Sequence, residues 1–292
     1  MGDRIVTFER GQDQRVNLLL SYHYFKRLNM AEFLRKVFGE VFPSVFLDSG
    51  AWSGFTMGVT IKLDDYIGYC HANAPSLWTY CNLDDMKQPE ITLANQREME
   101  RQGLSPMPVF HVGEDFKYLE AYAAEYDHVA ISRIVPFTGR PKVIIPYLGK
   151  CFRIVAGRAK VHGLGVSNTT LLRLFPWATT DSSAWGSGFR FGAVHLFDPL
   201  SGDFKGFGYK DHRAFNHHQE RLREHNFERF NFLEVEGSPR SAFGGIVATS
   251  YLKMNEWMKR RHGNDYKFFF VCTTNSDADY VRDAALATES AA

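Results

Sequence analysis

Strand-like and helix-like segments alternate along almost the whole sequence, and this alternation leaves few folds open to the chain. It predicts a parallel sheet whose connections are right-handed crossovers. Eight strands fit a closed barrel better than an open doubly wound sheet, and no Gly-x-Gly-x-x-Gly follows the first strand. We therefore predict an α/β fold, a (β/α)8 TIM barrel. Its predicted strands are Val16–Tyr22, Ser44–Asp48, Leu77–Leu83, Met107–His111, His128–Ser132, Lys160–Gly165, Trp177–Asp181 and Lys267–Thr273.

The regular spacing is broken once, between the seventh and the eighth predicted strand. Most barrel connections are short, whereas residues from about 186 to 265 form a long insertion here. Within it, Phe204–Lys210 is interpreted as a small hairpin or loop, and residues near 212–225 and 243–261 as helices. Barrel sites are built by the loops that follow strands, so the insertion should cover or extend the site. Residues 1–292 are interpreted as a single domain.

Charge and cysteine content narrow the class of protein. The formal net charge of +1 argues against a strongly basic nucleic-acid binder, but it leaves room for a local basic patch. The four cysteines show no Cys-x-x-Cys spacing, which favours buried thiols in a reducing compartment. No apolar run reaches the roughly 20 residues that span a bilayer, and the polar N-terminus is unlike a signal peptide. We expect a cytoplasmic protein without membrane contact.

One pentapeptide occurs twice, as Asp48-Ser49-Gly50-Ala51-Trp52 and as Asp181-Ser182-Ser183-Ala184-Trp185. Each copy follows a predicted strand, where α/β barrels hold their catalytic groups. Strands one and eight separate strands two and seven, so Asp48 and Asp181 should face each other across the mouth. Paired carboxylates perform glycosidic chemistry: one attacks or stabilises the sugar carbon C1′, and the other moves protons at the leaving group. The alternative is that each Asp only caps a turn.

Two further polar residues end neighbouring predicted strands. Asp84 follows strand three, and a carboxylate there can accept hydrogen bonds from the N1–H and the amino group of a guanine-like ring. Turn capping is the alternative for this residue as well. His111 ends strand four and is the next inward position, although a lone histidine is more often structural.

These segments occur in an order that resembles the tRNA-guanine transglycosylases. Leu47–Trp52 is similar to that family's Asp-Ser-Gly-Gly-Phe motif, and His162–Ser167 is similar to its His-Gly-Leu-Gly-Val segment. The matches to the family's Phe-Asp-Glu, Val-Gln-Gly-Gly and Ala-Ile-Gly segments are Leu83–Asp85, Val109–Gly113 and Ala130–Ser132. Together the matches cover the chain from about Val16 to Trp185.

The resemblance implies a single (β/α)8 transglycosylase domain that exchanges one base for another. It makes Asp181 the nucleophile that attacks C1′ and forms a glycosyl-enzyme. It makes Asp48 the general acid/base that serves the leaving guanine and then the incoming 7-deazaguanine. The residues that it places around the base are Ser49, Gly50, Asp84, His111, Ser132 and Gly165.

The sequence differs from the family at several of these positions. Asp181 is matched by order and strand position, because the family's Asp-Cys-Val-Leu-Pro-Thr-Arg segment is replaced. His111 stands in place of Gln, and Ser132 in place of Gly. The zinc motif Cys-x-Cys-x-x-Cys is missing after Asp181, so no metal ligand is assigned and no cofactor is expected. Zinc stays open only at a group of histidines that otherwise forms a solvated face: His212, His217, His218 and His225.

Without the zinc motif, the chain looks more like the compact phage and bacterial homologues that place 7-deazaguanines in DNA. The expected partners are DNA and a free 7-deazaguanine such as 7-cyano-7-deazaguanine (preQ0), in the host cytoplasm if the protein is phage-encoded; a homodimer is left open. A base inside a duplex must be flipped out or presented in a single strand. An ordinary solvated surface is the alternative for the basic residues of the insertion, which otherwise fit this partner: Arg190, Lys205, Lys210, Arg213, Arg221, Arg223, Arg229, Arg240 and Lys259–Arg261.

Three alternatives remain open at this point. The nearest is a tRNA-guanine transglycosylase of the queuine or archaeosine type. A second is a glycoside hydrolase that uses the same two carboxylates. The third is a non-catalytic barrel that only binds nucleic acid, and the presence of both Asp48 and Asp181 argues against it.

Overall fold

Eight parallel strands form one sheet in the computed structural model. The structure describes residues 16–39, 43–190, 193–208, 213–214, 217, 239–263 and 265–290. The large sheet has the order β3-β2-β1-β10-β7-β6-β5-β4, and all its strand pairs are parallel. The prediction of eight strands in a parallel α/β sheet is confirmed. Numbered along the chain, the strands are β1 (Asn17–Ser21), β2 (Ser44–Asp48), β3 (Thr79–Tyr80), β4 (Val109–His111), β5 (His128–Ser132), β6 (Lys160–Gly163), β7 (Thr179–Ser182), β8 (Ala193–Asp198), β9 (Asp203–Gly208) and β10 (Lys267–Cys272).

Helices occupy the connections between the strands. Side-chain caps start several of them: the side-chain oxygen of Asn29 accepts from the amide of Glu32 at 3.0 Å, which satisfies a helix N–H that has no partner in the first turn. The described helices are α1 (Tyr22–Phe25), α2 (Met30–Phe38), α3 (Ala51–Met57), α4 (Leu63–Asn73), α5 (Pro89–Arg101), α6 (Phe116–Glu125), α7 (Pro141–Val155), α8 (Thr169–Leu174), α9 (Ala184–Arg190), α10 (Pro239–His262) and α11 (Asn275–Ser290).

The sheet is strongly curled, and residues beside β3 and β4 connect its two end strands. Cys81 and Met107 form an isolated parallel bridge. The amide of Asn82 donates to the carbonyl of Met107 at 3.0 Å, and the amide of Met107 donates to the carbonyl of Tyr80 at 2.8 Å. These contacts join residues that lie next to β3 and β4, the two end strands of the sheet.

The two faces of the sheet carry different side chains. One face carries strand residues such as Leu18 and Val45, which pack with helix residues such as Leu119 and Leu148. The other face carries a small cluster of strand and strand-end residues. Because no described helix residue belongs to this cluster, it lies on the inner, concave side of the sheet. This inner cluster consists of Leu19, Phe46, Cys81, Met107, Val109, Ala130 and Phe269.

Side chains alternate between the two faces along a strand, so the inward-pointing positions can be followed to the carboxyl end of each strand. Residues two positions apart point to the same side, so Asp48 follows Phe46 inward, and His111 follows Val109 inward. Ser132 follows Ala130 in the same way. Polar side chains thus replace apolar ones at the last inward position of several strands, and the candidate site lies there.

The segment between β7 and β10 contains an antiparallel hairpin of β8 and β9 followed by α10. The sequence interpretation of Phe204–Lys210 as a small hairpin or loop is wrong for its described part, because residues 204–208 belong to β9, the second strand of the hairpin, and residues 209 and 210 lie outside the described residues. The turn lies earlier, where the amide of Gly202 donates to the carbonyl of Asp198 at 2.8 Å and Gly202 has φ 66°. The apolar first strand was missed because it begins soon after the second pentapeptide.

The sequence also predicted two helices in the insertion. The helix predicted near 243–261 is confirmed as part of α10, whereas the one predicted near 212–225 lies almost entirely outside the described residues. None of the helices in the described parts of the chain is both long enough and apolar enough to cross a membrane.

Candidate active site

The first pentapeptide forms a tight turn between β2 and α3. Asp48 ends β2 and is partly exposed, and its Oδ2 accepts a hydrogen bond from the amide of Gly50 at 2.9 Å. Gly50 has φ 78°, a conformation that favours glycine. A Cβ at Gly50 would lie 2.7 Å from the Cβ of His23 and 2.9 Å from the Oγ of Ser21. The glycine therefore brings the turn close to the end of β1 and the start of α1.

The second pentapeptide repeats this arrangement between β7 and α9. The Oγ of Ser49 accepts from the amide of Ala51 at 3.2 Å, and the Oγ of Ser182 accepts from the amide of Ala184 at 3.0 Å. Each serine thus forms a short-range turn with the first residue of the helix that follows its aspartate. The tryptophans that end the two copies differ, since Trp52 is 56% exposed and Trp185 is 1% exposed.

Asp181 lies in a buried polar network on the inner face. Its Oδ1 accepts from the amide of Gly165 at 3.1 Å and lies 3.0 Å from Nε2 of His162. Burial lowers the pKa of His162 to about 3, so this ring is neutral. With Asp181 ionised, Nε2–H donates to the carboxylate, and Nδ1 accepts from the hydroxyl of Thr179 at 2.7 Å.

The sequence interpretation gave no role to His162 or Thr179. Nε2 of His128, which lies 3.4 Å from Oγ1 of Thr179, continues the same network. The signal that was available is the alternation of inward residues, because Thr179 and Asp181 are two positions apart on β7. These residues hold the Asp181 carboxylate in one orientation.

Both pentapeptide acids have a pKa well above the ordinary value. Burial raises the pKa of Asp181 to about 7, and the hydrogen bond from Gly165 opposes the rise. Burial also raises the pKa of Asp48 to about 7; the charges of Asp84 and Asp181 add to this, while Gly50 and Ser21 oppose it. At neutral pH each carboxyl is therefore available in both its protonated and its ionised form, as acid–base catalysis requires.

Asp84 is held by hydrogen bonds at both of its oxygens. Oδ1 accepts from the hydroxyl of Ser49 at 2.7 Å, and Oδ2 lies 2.9 Å from Nε2 of His111. On the other side of the ring, Nδ1 of His111 lies 2.8 Å from Oε1 of Glu114. The structure thus brings Asp84, Ser49 and His111 together, as the sequence predicted, and adds Glu114, which the sequence interpretation missed.

The predicted contact between His111 and a base does not fit this geometry. The side chain of His111 is completely buried, and each of its ring nitrogens lies within hydrogen-bond distance of a carboxyl group, that of Asp84 or that of Glu114. A direct contact with a ligand would require one of these hydrogen bonds to break. His111 lies behind Asp84 and supports it.

The other two predicted base-binding residues lie at the ends of β5 and β6. Ser132 is partly exposed, and its carbonyl accepts from the amide of Val112 at 3.0 Å. Gly165 has φ 74°, and a Cβ there would lie 2.8 Å from Cγ2 of Val135, so backbone is closely packed at this point. Arg133, next to Ser132, is exposed and has φ 61°, which is uncommon for a residue with a side chain.

A cavity of about 360 Å³ adjoins Asp84. It lies between α3, the loop after β3 and α5, and its walls are mostly apolar near α3 and polar near the loop. Two exposed aromatic residues of α3, Trp52 and Phe55, lie close to its edge, and their ring centroids are 6.3 Å apart. Lys87 places its Nζ 5.2 Å from the Phe55 ring centroid. A flat ligand with polar edges would suit these surroundings.

Histidine, cysteine and acidic side chains are the usual metal ligands in proteins. Within the described ranges of the chain, no group of three or more such residues could hold a metal ion. Of the four histidines that the sequence left open for zinc, three lie outside the described residues, and the fourth is His217.

The turn at Gly50 yields a matched pair of substitutions. Gly50 and Gly58 both have positive φ, 78° and 67°, but a Cβ at Gly58 would have nothing within 4 Å. Gly58→Ala should cost about 1 kcal/mol of unfolding free energy from backbone strain alone. Gly50→Ala should cost about 1–3 kcal/mol more, because of the collision with His23. Urea unfolding of both variants measures this, and equal losses would contradict the close approach.

The raised pKa of Asp181 predicts a pH-dependent gain of stability in Asp181→Asn. Between pH 3.8 and about 7 the folded wild type keeps a proton that the unfolded chain has released, so its stability falls as the pH rises through this range. The asparagine keeps an acceptor for Gly165 and carries no charge. We expect the variant to exceed wild type at pH 8 by on the order of a few kcal/mol, and by much less at pH 5.

Urea unfolding at both pH values tests this expectation. The exposed Asp64 supplies the control, since Asp64→Asn removes an acid that lies on the surface of α4. A gain in Asp181→Asn that is the same at pH 5 and pH 8 would show that the carboxyl has no raised pKa.

Comparison with known proteins adds no relative to these observations. No protein-family model matches the sequence, and no curated protein matches it significantly. The resemblance to the guanine transglycosylases therefore depends on its short motifs and their order. The arrangement of Asp48, Asp84 and Asp181 must carry the functional argument.

Proposed function

We propose that this protein is a transglycosylase that replaces guanine in DNA with a 7-deazaguanine, such as 7-cyano-7-deazaguanine. The observation that carries the proposal is the pair Asp48 and Asp181, two carboxyls with a pKa of about 7 at the ends of strands separated by two others. Asp84, the third carboxylate, is close enough to raise the pKa of Asp48. One mouth thus offers a nucleophile, an acid/base and a reader of the base.

The first half-reaction removes guanine. The ionised carboxylate of Asp181 attacks C1′ and forms an ester bond to the sugar, while the bond between C1′ and N9 of guanine breaks. The electron pair of that bond leaves with guanine, and protonated Asp48 donates a proton to N9. Hydrogen bonds from Gly165 and His162 hold Oδ1 of Asp181, which supports attack by Oδ2.

The second half-reaction attaches the new base. Asp48, now ionised, accepts the N9 proton of the 7-deazaguanine, and N9 attacks C1′ as the ester bond to Asp181 breaks. Both carboxyls return to their starting states, so the exchange needs no oxidant, reductant or cofactor. The two roles require one protonated and one ionised acid, and a pKa of about 7 on both suits this division.

Asp84 is the proposed reader of the guanine edge. Each carboxylate oxygen can accept more than one hydrogen bond, so Ser49 and His111 leave capacity for the N1–H and the amino group of a base. In this proposal the backbone at Gly50 and Gly165 and the hydroxyl of Ser132 line the pocket. The cavity beside Asp84 lies on its α3 side and gives room for a ring substituent.

We further propose that the curled sheet is a closed (β/α)8 barrel. The bridge between Cys81 and Met107 supports closure, because it joins the two end strands. In this proposal the hairpin of β8 and β9, together with α10, belongs to an insertion of about 186–265 after the seventh barrel strand. A single transglycosylase domain and a cytoplasmic location remain predictions.

DNA is preferred over tRNA as the proposed substrate because the zinc motif of the tRNA enzymes is absent from the sequence. On duplex DNA the enzyme would have to flip the target base out of the helix; otherwise it would act on single-stranded DNA. The exposed aromatic rings of Trp52 and Phe55 and the exposed cation of Arg133 support a nucleic-acid partner, since stacking and positive charge are the usual means of holding a strand.

The central test is incorporation of labelled guanine into DNA. Asp48→Asn should lower exchange about 10²–10⁴-fold, as expected for loss of a general acid/base, and Asp181→Asn should abolish it. Asp64→Asn, on the surface of α4, is the control. A denaturing gel should show a protein–DNA adduct in wild type and none in Asp181→Asn. Full exchange by Asp181→Asn would remove this residue as nucleophile.

The same assay separates the alternatives. Duplex DNA, single-stranded DNA and tRNA are compared as acceptors, and faster exchange in tRNA would favour the tRNA enzyme. Hydrolysis of aryl glycosides without any nucleic acid would favour the glycoside hydrolase. Binding of nucleic acid without exchange or an adduct would favour the non-catalytic barrel.

Arg133 supplies an independent test of nucleic-acid binding. Arg133→Gly removes the guanidinium and should leave stability unchanged or higher, because glycine adopts φ 61° without strain. The loss of the long hydrogen bond from the guanidinium to the carbonyl of Met86, at 3.5 Å, opposes this gain only weakly. Arg133→Gly should weaken binding to an oligonucleotide and lower the slope of log affinity against log salt by about one. Arg133→Lys keeps the charge and serves as the control. An unchanged slope in Arg133→Gly, measured by fluorescence anisotropy, would place Arg133 outside the interface.

A further inference from the structure

The hydrogen-bonded chain from Glu114 through His111 to Asp84 is not explained by the two half-reactions. It continues through the hydroxyl of Ser49 to the amide of Ala51 and so connects the ends of β4, β3 and β2. Its members are almost sealed from water: the His111 side chain is 0% exposed, and those of Asp84 and Glu114 are 8% exposed.

We propose that Glu114 and His111 are positioning residues: Glu114 holds His111 as a buried imidazolium, and the imidazolium holds the Asp84 carboxylate in the orientation that reads the base. His111 itself does not touch the base. This inference rests on the proposed function for the identity of the ligand, whereas the charge of His111 can be measured without any substrate.

While both neighbouring carboxyls are ionised, the hydrogen-bond geometry requires a charged ring. A neutral imidazole has one N–H donor and one bare nitrogen, and a carboxylate offers only acceptors. His111 has a carboxylate at hydrogen-bond distance from each nitrogen, 2.9 Å to Asp84 and 2.8 Å to Glu114. In a neutral ring one of these contacts would set two acceptors against each other. Only the imidazolium donates to both.

The local backbone fixes Glu114 in this role. Gly113 has φ 105°, and the turn returns Glu114 to the residue three positions before it. The amide of Glu114 donates to the carbonyl of His111 at 3.1 Å, and Oε2 of Glu114 accepts from the amide of His111, also at 3.1 Å. The amide of Gly113 donates to the hydroxyl of Tyr147. Glu114 therefore supports both the ring and the backbone of His111.

The surrounding charges agree with this assignment. Burial of the ring opposes its protonation, but the hydrogen bonds and charges of Asp84 and Glu114 outweigh burial and raise the pKa of His111 to about 9. Beyond these two acids, the charge of Glu114 acts on Tyr118 and Tyr122 of α6 and on Tyr147 of α7, whose phenols are neutral.

Asp48 lies near the Asp84 end of this hydrogen-bonded series, and the charge of Asp84 raises the pKa of Asp48. The negative charge of Asp84 beside Asp48 is costly, and a buried cation behind Asp84 reduces that cost. If His111 lost its proton, Asp84 would lose its counter-charge, and the neutral ring could donate to only one of the two carboxylates. Asp84 would then be held less firmly as an acceptor for the N1–H and the amino group of the base.

The first experiment measures the charge of His111 directly. Nitrogen-15 NMR of histidine side chains at pH 7.5 should show His111 doubly protonated in the wild type. In Glu114→Gln, which keeps the shape of the side chain and removes its charge, the pKa of His111 should fall by about one unit or more. Glu120→Gln, at an exposed position of α6, is the matched control and should leave the His111 signal unchanged.

The second experiment separates base recognition from glycosyl transfer. In the exchange assay, His111→Gln and Glu114→Gln should raise KM for the incoming 7-deazaguanine about tenfold or more, with a smaller change in kcat. Circular dichroism and the Tm show whether each variant is folded. If His111→Gln does not fold, the milder Glu114→Gln decides the question.

The outcomes are distinct for the two proposals. A neutral His111 at pH 7.5 in the wild type would overturn the inference, whatever the substrate. A charged His111 together with an unchanged KM in Glu114→Gln would also overturn it, because the imidazolium would then have no role in reading the base. Absence of exchange with every nucleic acid would refute the proposed function and leave the NMR result to stand by itself.

Discussion

The candidate site depends on holding three carboxylates close together in one mouth. Taking a carboxylate out of water disfavours its charged form, and neighbouring charges of the same sign add to this cost, so some of these acids must be neutralised by protons or by neighbouring cations. Burial raises the pKa of Asp48 and of Asp181 to about 7, and for Asp48 the charges of Asp84 and Asp181 add to the rise. Asp84 is instead placed against a histidine that has an acid on each side. The need to neutralise these charges therefore explains why Asp48 and Asp181 have a raised pKa and why His111 lies beside Asp84.

Two buried histidines show how the neighbours decide the charge of one residue type. His162 lies against Asp181 on one side and the hydroxyl of Thr179 on the other, and burial keeps it neutral with a pKa of about 3. His111 is equally buried, but two carboxylates raise its pKa to about 9. A neutral ring orients the proposed nucleophile without changing its charge. A charged ring stabilises an ionised acid that must accept hydrogen bonds.

Much of the framework could be predicted from the sequence, because it depends on short-range patterns. The eight strands follow from apolar and β-branched runs, and the end of each run showed where Asp48, His111, Ser132 and Asp181 lie. The turn at Gly50 was also readable, since an Asp-Ser-Gly sequence after a strand has few conformations. The hairpin was misplaced because its first strand, Ala193–Asp198, was overlooked and its second strand, which contains two glycines, was interpreted as a small hairpin or loop.

The sequence by itself determined the order of the elements, the acids at the strand ends and the two copies of the pentapeptide. Only the tertiary structure decided which groups pair: His162 and Thr179 with Asp181, and Glu114 and His111 with Asp84. The physical reason is that a strand pattern specifies the side to which a residue points, whereas a pKa depends on burial and on charges that arrive from other strands. Asp84 and His111 are 27 positions apart, and the curled parallel sheet brings them within 2.9 Å.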